Sequence, residues 1–364
     1  MHRKSVVLPV RTPPEQGTSP CPPSGREPAG QPSGRRRHAL RAAGLLASLV
    51  LLALTLALSL AVGARPLTLA EVWSGLVDTG SPAHTVVREM RLPRTWLGLL
   101  AGTALGLAGG LMQAVTRNPL ADPGLLGVNA GASAAVVSAM AFLGVAGFTG
   151  YVWFAFAGAA AVSVLVYAVG GGRGATPARL ALAGTAINAA LISYVNAVML
   201  LDTAALDRMR FWAVGSLAGA EAATVGRLAP FVLVGVVLAL GLGRALNAMQ
   251  LGEDSARALG ARPAAVRAAA IVAVTLLCGA ATAACGPLVF VGLIVPHLVR
   301  SLTGPDLRWQ LPYCAVLAPV LLLGADVLGR VVARPGELQV GIVTAVLGGP
   351  LFLSFVRRRR MVRA

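Results

Sequence analysis

Lysine is almost missing from this sequence: Lys4 is the only one among 364 residues. A phosphate-cradling G-x-x-x-x-G-K-[ST] loop uses a lysine to reach the β- and γ-phosphates of a nucleotide, and no such loop is present around Lys4. Any ATP used with this chain must therefore be split by another polypeptide, and the chain is not expected to be an enzyme. Charge of either sign is scarce too, at 12% of residues, where soluble domains carry roughly a quarter. With 56% hydrophobic residues, such a chain has lipid as its main solvent.

Cysteine and histidine number four each. Cys278 and Cys285 stand seven apart on one predicted helix, about 10 Å along its axis and beyond disulfide reach. Cys314 falls in another apolar run and Cys21 in the amino-terminal tail, so no disulfide framework is expected, and no apolar segment precedes Cys21 to make it a lipidation site. His297, after Pro296, has no second His or carboxylate spaced to share a metal; it reads as a packing or interface residue, and no metal or cofactor is expected. No Ser-His-Asp or Cys-His arrangement emerges from the spacing, which leaves an intramembrane enzyme without support. Alternating strand patterns are missing as well, so a helical bundle rather than a barrel must satisfy the backbone in lipid.

From about residue 41 onward the sequence is a series of apolar runs: 41–63, 95–115, 124–144, 148–169, 178–201, 224–243, 264–284, 287–303, 310–330 and 338–356. Each is long enough to carry a helix across ~30 Å of hydrocarbon. The expected fold is all-α, a polytopic membrane protein of about ten transmembrane helices over 41–364. Residues 1–40, rich in Pro, Gly, Ser and Arg, are expected to form a disordered cytoplasmic arm. The formal charge of +17 does not point to nucleic acid, because the arginines lie in the tail and between apolar runs with no basic face interleaved with aromatics. Alternate loops carry 22 Lys and Arg on the side of the amino terminus and 9 on the other. By the positive-inside rule both termini are cytoplasmic.

Gly98, Gly102, Gly106 and Gly110 form a stripe of small residues on one face of the second run, a seam for close helix packing with no ligand implied. The Arg117-Asn118-Pro119 and Asp122-Pro123-Gly124 turns break that helix, with Asp122 placed to cap the next span. Asp326 and Arg330, four apart, are placed to pair with each other. Asn188, Ser193 and Asn196 in the fifth run either line a polar path or bond a neighbouring helix. One cytoplasmic loop, Leu251-Gly252-Glu253 through Arg257 to Leu259-Gly260, reads as a short capped helix with acids in its first turn, a Glu253–Arg257 pair and apolar ends.

The segments RLPR (91–94), RNPLADPGLLGVNAGAS (117–133), FWAVGSL (211–217), LGEDSARALG (251–260), GPLVFVGLIVPHLVR (286–300), LGADVLGR (323–330) and PGELQVGIVTAVLGGP (335–350) resemble permease subunits of ATP-binding-cassette importers for iron-siderophores, haem and cobalamin, the FecCD-like type II importers. The resemblance covers essentially everything after residue 41. It implies a ten-helix permease in a bacterial inner membrane, paired with a second permease (homo- or heterodimer), two cytoplasmic ATPase subunits and an extracytoplasmic binding protein. A ferric siderophore is the implied cargo, with haem or cobalamin as alternatives. The cytoplasmic helix formed by Leu251, Gly252, Glu253, Arg257, Leu259 and Gly260 would couple to the ATPase. Arg91, Arg94 and Arg330 would face outward to dock the binding protein. Asn188, Ser193 and Asn196 would line the path between the two permeases. An ion-coupled secondary transporter would need midplane charges or paired interrupted repeats, and Asp326 alone supplies neither.

Overall fold

A computed structural model of the chain describes residues 34–63, 65–145, 148–172 and 176–361. The arm expected over 1–40 therefore lies, through residue 33, outside the described residues. In chain order the helices are α1 (Gly34–Ala61), α2 (Leu69–Val77), a π-helical segment Thr85–Arg91 running into α3 (Leu92–Thr116), a 3₁₀ turn Pro123–Leu126, α4 (Val128–Phe142), α5 (Phe148–Val169), α6 (Pro177–Leu201), α7 (Thr203–Val214), α8 (Ala222–Gly241), α9 (Gly243–Gln250), α10 (Glu253–Ala258), α11 (Pro263–Cys285), α12 (Val291–Thr303), α13 (Leu307–Val332) and α14 (Val340–Met361). No strand occurs among the described residues. Among the described residues seven helices are long and apolar enough to cross a membrane, and three shorter apolar ones, in α4, α12 and α14, accompany them. These coincide one for one with the ten apolar runs.

The ends of the spans follow local rules. Pro93 and Pro263 sit in the first turns of α3 and α11, where a missing N–H costs nothing. α11 stops at Gly286, whose φ of +74 suits a residue without a side chain. α3 and α11 are the most buried spans, and α1 and α6 are among the most exposed.

The glycine stripe meets α13 as its spacing implies. A Cβ on Gly98 would touch Leu323, one on Gly102 would lie 2.5 Å from the Pro319 Cα, one on Gly106 would lie 2.6 Å from the Cys314 carbonyl oxygen, and one on Gly110 would lie 3.0 Å from Leu311. A tighter approach lies beside the stripe: a Cβ on Gly109 would run into the carbonyl oxygen of Gly292 in α12.

Hydrogen bonds group the loops at two ends. At one end the Ser216 N–H donates to Cys285 O and the Gly341 N–H to Gly215 O. At the other, Arg117 Nη2 donates to Met249 O at 2.5 Å and Asn247 Nδ2 to Asp306 at 2.6 Å. This is the same grouping that the alternation of spans implies. Three helices, α2, α7 and α9, were not anticipated. α2 is closed by a capping box between Thr68 and Glu71, buries Val72 and Gly75, and leaves Leu69, Trp73 and Val77 exposed. α7 buries Met209 and Trp212, and the Trp212 carbonyl closes tightly on Gly286.

Candidate functional sites

Between α9 and α10 the chain turns at Gly252, with a φ of +112, and α10 ends at Gly260, with a φ of +79. Both are left-handed positions that favour glycine. α10 packs on the bundle through its buried Ala256, with Leu251 and Leu259 exposed on either side. The expected Glu253–Arg257 pair forms at 3.2 Å, and Asp254 joins the same guanidinium at 2.8 Å. A further partner was missed. The other Glu253 oxygen accepts from Arg267 Nη2 at 2.6 Å, and the Arg267 side chain, on α11, is buried. The short helix is thus bolted by charge to a central span. A lone arginine inside the apolar run 264–284 was the available signal for it.

At the opposite end the three arginines expected to dock a binding protein are taken up by the chain's own carbonyls and carboxylates. Arg91 Nη1 donates to the carbonyls of Leu60 at 2.6 Å and Ala61 at 2.8 Å, and Nη2 donates to that of Arg65. Arg330 Nη1 donates to the Ser59 and Val62 carbonyls at 3.0 and 2.9 Å, and Arg334 to that of Gly63 at 2.8 Å. These oxygens belong to the last turn of α1 and the residues after it, where a helix leaves its carbonyls without intrahelical donors. That need draws the arginines in. Arg94 forms ion pairs with Asp326 at 2.8 Å and Glu337 at 2.7 Å, and the pair expected between Asp326 and Arg330 closes at 3.1 Å. Asp326 is wholly buried between its two arginines.

A cavity of about 380 Å³ opens between α4, α6 and the segment after α11. Asp122, Asn129, Ser133, Thr185 and Asn188 face it. Asp122, expected to cap the next span, caps the 3₁₀ turn Pro123–Leu126 instead, accepting from the Gly124 N–H at 2.7 Å, while α4 starts from Gly127 without a side-chain cap; Asp122 also lines the cavity. Asn129 Oδ1 accepts from Thr282 Oγ1 at 2.9 Å, which fixes that carboxamide against α11. Ser193 and Asn196 are exposed elsewhere on α6, and Ser193 turns its hydroxyl back to the Ala189 carbonyl at 2.9 Å. The cavity therefore gathers Asn188 from the three expected polar residues and leaves the other two outside it.

Residues 51–358 match the FecCD transport family. The chain belongs to that family. Among its relatives are the ferric enterobactin transport system permease protein FepD of Escherichia coli (strain K12), 46% identical over 322 residues that cover 88% of this chain and 96% of that one. The Fe(3+)-citrate import system permease protein YfmD of Bacillus subtilis (strain 168) is 39% identical over 91% and 99% of the two chains. The hemin transport system permease protein HmuU of Yersinia pestis is 36% identical over 91% and 99%. A solved metal-chelate type ABC transporter in an inward-facing conformation superposes with a TM-score of 0.79 at 27% identity, covering 87% of this chain and 99% of that one. This chain is thus a multi-pass membrane permease subunit of the FecCD family of importers.

In this FecCD-family chain the start of α13 is pinned beside α9 by Asp306. The Asp306 carboxylate accepts from the Arg308 side chain and from Asn247, and those bonds hold it down at about 2, from an ordinary 3.8. A carboxylate lowered on folding stabilises the fold above its unfolded range, and the gain disappears as pH falls through the folded value. The melting advantage of the native chain over Asp306→Asn in detergent is expected to be constant above about pH 4 and to vanish towards about pH 2. A constant advantage down to pH 2 would remove Asp306 from this role.

Proposed function

We propose that this chain is the translocating subunit of an ATP-driven importer that carries a ferric siderophore into the cytoplasm. The observation that carries the reading is α10, exposed at Leu251 and Leu259 yet tied through Glu253 and Arg267 to the central span α11. A force applied to that helix reaches the bundle. Only Lys4 is available as a lysine, so the force comes from separate ATPase subunits, two of them in a paired assembly. The charge bias of 22 to 9 supports placing α10 and both termini on the cytoplasmic side of an inner membrane.

In this reading the second permease, identical or related, packs on the exposed α6. The path runs through the cavity of Asp122, Asn129 and Asn188, and Ser193 and Asn196 face the partner. The binding protein docks at the opposite end, where Glu337 is partly exposed and pairs with Arg94, while Arg91 and Arg330 act as clamps on α1. The relatives' iron-chelate names favour a ferric siderophore, and the 36% identity to a hemin permease supports haem as the second reading.

Uptake of radiolabelled ferric siderophore, haem and cobalamin by cells carrying or lacking the chain tests this. Glu253→Lys should lower uptake of the cargo about tenfold, the equivalent of about 1.4 kcal/mol, with the protein still in the membrane. Adding Arg267→Glu should recover part of it, because the pair is restored with reversed sign. Unchanged uptake of all three ligands on deletion would sink the importer reading.

A further inference from the structure

Where α8 turns into α9, the start of α13 lies alongside. A Cβ on Gly243 would stand 3.7 Å from the Arg308 Cα. Two cavities open at this junction, and Arg244 and Arg308 line both. The one of about 470 Å³ runs towards Asn247, Leu251 and Leu259, on the side of α10. The one of about 500 Å³ is walled instead by Leu240, Leu307, Leu311 and Pro312, side chains of two membrane spans. A water-soluble partner does not reach the flank of a span within the hydrocarbon layer, whereas a lipid chain does.

The two arginines are set for an anion. Arg308 is aimed by Asp306, whose oxygens take its Nε at 3.1 Å and its Nη2 at 2.9 Å. Asp306 is itself held by Asn247 at 2.6 Å. Arg244 is exposed and has no ion pair among the described residues. Arg244, Arg308 and Asp306 together carry one net positive charge, the complement of a single phosphodiester. Basic pockets between spans on the cytoplasmic side suit anionic headgroups.

We propose that this junction binds an anionic phospholipid of the inner leaflet, with its phosphate between Arg244 and Arg308 and an acyl chain along Leu240, Leu311 and Pro312. Bound there, the lipid braces α9, which leads into α10, against α13. The assignment rests on the orientation proposed above, which puts α9 and α10 on the cytoplasmic side.

The test is native mass spectrometry of the full chain in neutral detergent, titrated with phosphatidylglycerol, phosphatidylcholine or inorganic phosphate. Phosphatidylglycerol should be retained and phosphatidylcholine should not. At about 1 kcal/mol for each arginine near a membrane surface, Arg244→Gln and Arg308→Gln should each weaken retention about fivefold, and the double variant about 25-fold. Arg227→Gln, exposed near the far end of α8, should change nothing. Equal retention of the two lipids, or full retention by the double variant, would overturn the site. Displacement by inorganic phosphate at matched concentration would show a free-anion site and overturn the lipid assignment. Orientation is read separately, from Ser255→Cys labelled in intact cells with an impermeant reagent. Labelling from outside would sink the topology while leaving the detergent result standing.

Discussion

Asp326→Ala is expected to keep the chain from accumulating as a folded membrane protein, at a cost of about 3–5 kcal/mol. The carboxylate is fully buried, with Arg94 on one oxygen at 2.8 Å and Arg330 on the other at 3.1 Å. Without it, two guanidinium groups with side-chain exposures of 11% and 2% confront each other with no anion between them. Glu337 reaches only Arg94, from the surface. The damage spreads, because Arg330 also holds the Ser59 and Val62 carbonyls at the end of α1. Asp326→Asn keeps the shape and an acceptor but not the charge, and should fall between native and Ala. Gel filtration and thermal melting in detergent check the order. A monodisperse Ala variant that melts with the native chain would refute the network's part in stability.

The spans were legible because ten helices in lipid need ten long apolar runs, and run length survives without any knowledge of packing. The short helix at Glu253 was legible for a different reason: its first-turn acids, its Arg257 partner and its closing Gly260 are all local. The arginine clamp was not. The groups that capture Arg91 and Arg330 are main-chain carbonyls 26 to 271 positions away, and a carbonyl has no residue-type signature. Basic residues between two runs looked like outward charges for the same reason. Asn188 and Ser193 show a third limit. Both are polar and on α6, but which side of a helix meets a cavity depends on how α4 and the segment after α11 pack on it, and that is a tertiary fact. α2 was readable and missed, since Thr68 and Glu71 spell a capping box. α7 was obscured by Asp207 and Arg210, an exposed pair that reads as loop.

The glycine seam gives the second large effect, and it discriminates between two accounts of how α3 packs. By spacing alone, Gly98, Gly102, Gly106 and Gly110 should be equivalent and Gly109 indifferent. The structure ranks them otherwise. An added methyl at Gly109 would run into the Gly292 main chain, and main chain cannot rotate aside. α12 would have to move, and with it the bond from Gln113 Nε2 to the Leu293 carbonyl at 3.1 Å. Gly109→Ala should therefore cost at or above the top of the roughly 1–3 kcal/mol range of core overpacking. Gly102→Ala, against the Pro319 main chain at 2.5 Å, should come next. Gly98→Ala and Gly110→Ala press on leucine side chains that turn to other rotamers, so each should cost well under half as much. Melting temperatures of the four variants in detergent give the order directly. Should Gly109→Ala melt with the native chain while Gly98→Ala fails, the stripe itself would be the tight seam and α12 would sit farther from α3 than the structure places it.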